Sequence, residues 1–173
     1  MANTSTSTTP TTEREHYLAS FAREAQTTLR ALKAFPADKT AWKPSDRSPT
    51  VTPIAWMLVI SQHVTEPIML APRLEPQAPP PAPDDWNTLV ATFEAAHRDA
   101  LARLTAMSDA TYNSTIVIPV GPNGATAPVR RADALWMMLS DTVHHRGQFS
   151  VYLRASGAKV PSIYGPSGDE PWF

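Results

Sequence analysis

Hydrophobic and polar positions recur with a helical period over four stretches of this chain. From about Glu13 to Ala34, the residues Leu18, Phe21, Ala25, Leu29 and Leu32 return every three or four positions. That is one apolar stripe on an otherwise polar helix, with Thr11 or Thr12 placed to cap it. Thr52-Pro53 opens a second helix, a cap residue followed by proline at the first helical position, running to about Met69. There Ile54, Trp56, Met57, Leu58, Val59 and Ile60 leave almost no polar side, so the pattern predicts a helix buried among neighbours. Asp84 or Asp85 caps a third helix to about Met107, with a stripe of Leu89, Phe93, Ala96 and Ala100. The fourth runs from about Ala132 to Ala155 and stops at Ser156-Gly157.

The segments between these helices are rich in proline, of which the chain has 18 against 6 glycines. They read as punctuation. "APRLEPQAPPPAP" predicts an extended, polyproline-like connection between the second and third helices. "STIVIPVGPNGATAPV" holds two short β-prone runs around Gly-Pro-Asn-Gly, which predicts a small hairpin or ordered loop before the last helix. The tail "KVPSIYGPSGDEPWF" is too rich in Pro and Gly for regular structure, and its Ile163, Tyr164 and Trp172 suggest packing on the bundle. The expected architecture is all-α: one four-helix-bundle domain over residues 13–173, after a polar Thr/Ser tail at 1–12 that reads as disordered.

Composition narrows the function classes. A formal net charge of −1 offers no basic face, so nucleic acid is not an expected partner. No apolar run approaches the roughly 20 residues that span a bilayer, and the N-terminus lacks the basic and hydrophobic regions of a signal peptide. The expected location is cytoplasmic. With no cysteine there is no disulfide, Cys nucleophile or thiolate ligand. Any thiol chemistry would need a thiol carried on a small molecule.

Candidate chemistry sits in "DTVHHRGQFSVYL", residues 141–153. Asp141 and His145, at i and i+4, share one helix face with Ala134, Met138, Gln148 and Tyr152. That face is largely apolar before Asp141, which predicts that it points inward. A buried carboxylate and imidazole need partners, and a metal ion is one such partner. His63, on the stripe Trp56, Ile60, His63, Pro67 of the most apolar helix, is the candidate third ligand. The set His63, Asp141 and His145 would leave room for water or substrate, the open arrangement of a catalytic centre. Equally, Asp141 and His145 can form a plain hydrogen-bonded pair. His144 lies at i+3 from Asp141, so spacing alone does not choose between the two histidines. His16 and His97 have no acidic or histidine partner at helical spacing and read as surface or rim residues.

The combination of "HHRGQ" late in the last helix, a histidine late in the second, and "GAKVPSIYGPSGDE" after the bundle resembles the DinB/YfiT-like superfamily of metal-dependent enzymes. "LKAFPADKTAWKPSDRSPTVTPIAWMLVISQH" is similar as well, so the resemblance covers nearly everything from residue 13 onward. It implies an up-down-down-up bundle, a homodimer, and a divalent metal on His63, Asp141 and His145, with His144 supporting the site or an interface. The superfamily often has His where this chain has Asp141, and one branch has Glu. Arg146, Gln148 and Tyr152 are the expected supports, and Gly147 a close helix-packing point. Zn, Ni, Fe and Mn are not distinguished by such a ligand set. The activity it implies on a small-molecule substrate is transfer of an external low-molecular-weight thiol to an electrophile. The alternatives are a metal-dependent hydrolase using metal-bound water, and a non-catalytic, stress-linked binding protein with a degenerate metal site.

Overall fold

The computed structural model describes residues 12–173. The tail expected over 1–12 lies outside the described residues except for Thr12, which begins the fold. Its hydroxyl accepts from the Glu15 amide while Glu15 reaches back to the Thr12 amide, a complete capping box for α1 (Glu13–Ala34). A single 3-10 turn at Ala37–Lys39 leads to α2 (Val51–Leu70). Thr50 is its N-cap residue, so Pro53 falls inside the first turn, where no intrahelical partner for an amide is lost. Asp85 caps α3 (Trp86–Ala106) by accepting from the Thr88 amide at 2.7 Å.

Next comes α4 (Asp109–Tyr112), a single turn capped by Ser108 that the periodicity does not show. It leads into β1 (Thr115–Pro119) and β2 (Thr126–Arg130), an antiparallel pair with Val117 opposite Pro128. Asn123 and Gly124 close the hairpin with φ of 60° and 74°, the left-handed region that Asn and Gly enter most readily. The proline-rich connection also bonds to β1. The Leu74 amide donates to the Val117 carbonyl at 2.8 Å, and the Val117 amide to the Pro72 carbonyl at 3.2 Å. Helix α5 (Arg131–Ala155) completes the bundle and ends at Gly157, whose φ is 80°.

Polar contacts between helices fix the topology. Between α2 and α3, Gln62 meets His97 and Glu66 meets Arg103, so the two run parallel. Between α1 and α5, Glu13 meets Arg130 and Glu24 meets Arg146, again parallel. Tyr17 and Phe21 lie beside Tyr112 and His97, while Lys33 pairs with Glu94, so α1 and α3 are antiparallel. The Tyr152 hydroxyl donates to the Pro49 carbonyl and Arg131 to the Ile68 carbonyl, so α2 and α5 are antiparallel as well. The bundle is therefore up-down-down-up. The long proline-rich connection is what lets two parallel helices follow one another, since a helix of about 20 residues is roughly 30 Å long.

The core has two aromatic centres. Phe35, Trp86 and Phe149 fill one end, and Tyr17, Tyr112, Ile116 and Leu135 the other, where the hairpin covers the bundle. No helix among the described residues is long and apolar enough to cross a membrane.

Candidate functional site

The α5 face carrying Asp141 and His145 lies at the edge of α5, along its groove with α2. Upstream Ala134 and downstream Tyr152 are buried, as an inward face requires. The Asp141–His145 pair between them is not: the Asp141 side chain is 41% exposed and that of His145 21%. The expectation of a buried pair is thus corrected to a pair on a groove wall. Asp141 Oδ2 stands 3.4 Å from His145 Nε2. The groove, about 480 Å³, is walled by Pro53, Ile54 and Met57 of α2 and by His145, Gln148 and Tyr152 of α5. Its walls are mostly apolar, and His145, Gln148 and Tyr152 supply its polar side-chain groups.

Gln148 links the two histidines. Its Oε1 lies 3.0 Å from His145 Nδ1, and its Nε2 lies 3.0 Å from His144 Nε2. The amide oxygen only accepts, so Nδ1 of His145 donates to it and Nε2 is the ring nitrogen that faces Asp141. A carboxylate and a ring nitrogen at this distance can share a proton or a cation between them. Gln148 thus orients the imidazole, the part that supporting groups take around a working histidine.

His63 does not join this pair. It is exposed, and among the described residues no group of three His, Cys, Asp or Glu could hold one ion. The three-way convergence expected from the sequence is corrected to the pair Asp141–His145. The physical reason lies in α2. A helix apolar nearly all round has no preferred phase, so hydrophobicity could not tell its inner face from its outer one. The buried side is Val51, Ala55, Leu58, Val59, Gln62, Thr65 and Ile68. The stripe Ile60, His63, Pro67 faces outward.

The contacts Tyr152–Pro49 and Arg131–Ile68 set Val59 level with Asp141, and His63 lies about one helical turn further along α2. Ser61 follows Ile54 by seven residues, whereas His63 is turned about 160° away from it. The Ser61 hydroxyl donates to the Leu58 carbonyl at 2.8 Å. The residues present do not fit a resident three-ligand ion. His63→Ala is expected to leave metal affinity and ligand binding in the groove unchanged, by calorimetry with zinc and with small aromatic ligands.

Of the expected supports, Gln148 holds the imidazole and Tyr152 forms groove wall, its hydroxyl 3.1 Å from the Pro49 carbonyl. Arg146 is on another face. Its side chain, 1% exposed, is bonded to Glu24 of α1 and to Tyr164 of the tail. It anchors the tail and touches neither Asp141 nor His145. An added Cβ at Gly147 would meet nothing within 4 Å, so the expected packing point there is absent. His16 and His144 are exposed. His97 is not a rim residue: it is 8% exposed, within α3's buried side.

A family model described as the DinB family matches residues 1–171. The chain belongs to the DinB family. A relative, the uncharacterized protein YrdA of Bacillus subtilis (strain 168), is 28% identical over 163 residues, 90% of each chain. Among solved structures, a DinB-like protein from Bacillus cereus ATCC 10987 matches with a TM-score of 0.70 at 20% identity, covering 87% of this chain and 97% of its own. YfiT from Bacillus subtilis, described as a probable metal-dependent hydrolase with an unusual four-helix bundle topology, matches with a TM-score of 0.62 at 11% identity, over 91% and 95%. At these identities the likeness to the DinB-like structures is one of fold.

Proposed function

We propose that this DinB-family chain is an enzyme that joins a small nucleophile to a largely apolar electrophile in the α2–α5 groove. The nucleophile, a low-molecular-weight thiol, loses its proton at the Asp141–His145 pair. The observation that carries this reading is the oriented imidazole: Gln148 holds His145 at Nδ1, Asp141 stands at Nε2, and the residue lines a groove with mostly apolar walls. The S–H proton passes to His145 Nε2, and the Asp141 carboxylate stabilises the imidazolium. The sulfur forms the new bond to the electrophilic carbon, and the displaced group leaves with the electron pair of its bond. Water in the thiol's place makes the same site a hydrolase. The absence of cysteine from the chain is compatible with an external thiol.

A divalent ion at this pair would acidify the bound thiol or water. The superfamily resemblance and the description of YfiT as a probable metal-dependent hydrolase support that form of the reading. This chain offers the ion two protein donors, Asp141 and His145, against the three usual in a catalytic centre. The same shortfall supports a second reading, a binding protein with a degenerate metal site. The experiment is thiol consumption against a panel of electrophiles, with and without added zinc, nickel, iron or manganese, alongside metal analysis of the purified protein. Absence of enzyme-dependent consumption with every thiol and every ion sinks the catalytic reading.

We also propose a cytoplasmic homodimer built on the outer face of α2. Leu70 is 70% exposed there, beside half-buried Ile60, Val64 and Pro67. An apolar helix face of this kind is suited to an isologous contact. Light scattering at micromolar concentration is expected to give twice the 18.9 kDa chain mass; the monomer mass would refute the dimer.

A further inference from the structure

On the far side of the bundle, α1 and α3 leave a second groove of about 880 Å³. Its floor is apolar, with Ala25, Leu29, Phe93 and Leu101, and His97 lies in it. The His97 ring packs against Phe21 at 4.8 Å between centroids. Its Nδ1 is 3.1 Å from Gln62 Oε1 on α2. The opposite ring edge, Cδ2–Nε2, is the one turned away from α2, and Nε2 has no hydrogen bond among the described residues. Nor is Nε2 sealed: Tyr112 Oη is the one side-chain polar atom both sealed and unpartnered among the described residues.

The protonation of this histidine follows from the far end of its hydrogen-bond chain. The Leu58 carbonyl can only accept, so the Ser61 hydroxyl spends its proton there, at 2.8 Å. Ser61 Oγ must then accept from Gln62 Nε2, 3.4 Å away. That sets the Gln62 amide, with Oε1 toward His97, and Oε1 in turn requires a proton on His97 Nδ1. Nε2 is left as a bare lone pair. Burial holds the imidazole below its ordinary pKa, which keeps it neutral.

We propose that the α1–α3 groove is a second small-molecule site, taking a phenol-like ligand whose hydroxyl donates to His97 Nε2 and whose anionic group meets the rim. The rim charge suits that class. Glu94 is engaged by Lys33 at 2.6 Å, while Arg23 and Arg98 stand at the groove with looser neighbours: Ser20 at 3.4 Å and Glu24 at 3.7 Å for Arg23, Asp99 at 3.8 Å for Arg98. A neutral histidine held by an acceptor behind it discriminates donors from non-donors, because a ligand lacking the hydrogen leaves Nε2 dry and unpaired. The site is independent of the Asp141–His145 pair, which opens on the α2–α5 groove.

The test uses the full chain with ¹⁵N-labelled histidine and 4-hydroxybenzoate as probe, 4-methoxybenzoate as the control lacking the donor. In the free protein His97 is expected to show an unprotonated Nε2 and a protonated Nδ1 at pH 7. Adding 4-hydroxybenzoate is expected to move the Nε2 resonance, with affinity roughly tenfold above that of 4-methoxybenzoate. Arg98→Ala, an exposed change that leaves the fold intact, is expected to weaken the probe and leave the tautomer as it is. A proton found on Nε2 overturns the relay. Equal affinity for the two benzoates, or shifts confined to His144 and His145, overturns the site.

Discussion

Arg146→Met lowers the stability of the fold by about 3–5 kcal/mol, a drop of roughly 6–20 °C in melting temperature for a chain of this size. The side chain is 1% exposed and its partner Glu24 8%. Arg146 donates to Glu24 Oε2 at 2.7 Å, to the Glu24 carbonyl at 3.0 Å and to Thr28 Oγ1 at 3.2 Å. The Tyr164 hydroxyl donates to the same carboxylate at 2.7 Å. Removing the guanidinium strands a carboxylate away from water, which costs far more than the pair contributes over an apolar replacement. The double variant Glu24→Leu with Arg146→Met should therefore recover part of the loss, as read by chemical denaturation. If the double variant is as unstable as the two single losses added together, the ionic account is wrong.

The pH dependence follows from the same contacts. Burial alone would raise the Glu24 pKa, but the hydrogen bonds from Tyr164 and Arg146 outweigh it and hold the carboxyl below the ordinary glutamate value. A depressed carboxyl contributes stability that is present above its unfolded pKa and lost as pH falls through the lower folded value. In Arg146→Met the lowering contributions of Arg146 are lost while Tyr164 and Arg23 remain, so the carboxyl pKa rises and less stability is lost on acidification. Denaturation midpoints of wild type and variant should therefore converge on acidification. The variant also removes one of the two contacts that hold the Tyr164 hydroxyl, so proteolysis of the tail beyond residue 160 should quicken.

Arg146 shows where sequence periodicity stops being informative. The α1 stripe, the Asp85 cap and the hairpin around Asn123-Gly124 are local, and each is legible because the signal and the structure it makes lie within a few residues. Arg146 acts across the bundle on Glu24, and nothing near either residue announces the other. The same holds for Leu74 and Val117, which pair a connection to a strand. His97 sits beside the α3 stripe in sequence, and its burial comes from Phe21 of α1 and Gln62 of α2. The candidate site divides along the same line. Asp141, His145 and Gln148 are one helix face, so spacing alone brings them together. The α2 contribution needed the phase of a helix apolar on all sides, which hydrophobicity does not carry. Only the register against α5 shows Val59 level with Asp141 and His63 about one turn beyond it.

The second large effect concerns the pair itself. His145→Ala should reduce enzyme-dependent thiol consumption by roughly 10²–10⁴-fold, the usual worth of a positioned general base. Folding should survive, because His145 is on a groove wall and the core lies in the two aromatic centres. Asp141→Asn keeps the shape and removes the charge that stabilises the imidazolium, so the rate should fall by at least about tenfold. Metal content separates the readings that rate alone leaves joined. If the pair works as a proton acceptor, Asn and His at position 141 both lose rate while bound metal per chain stays the same in all three proteins. If an ion is recruited to the pair, Asp141→Asn loses metal and rate together, and Asp141→His, which restores an imidazole donor, retains both. If the site is degenerate, wild type already lacks enzyme-dependent consumption and stoichiometric metal, and neither substitution changes anything. Rates and metal per chain, measured side by side on wild type, Asp141→Asn, Asp141→His and His145→Ala, decide among the three. An unchanged rate in His145→Ala would remove the pair from the chemistry altogether, and would leave the α2–α5 groove as a binding surface only.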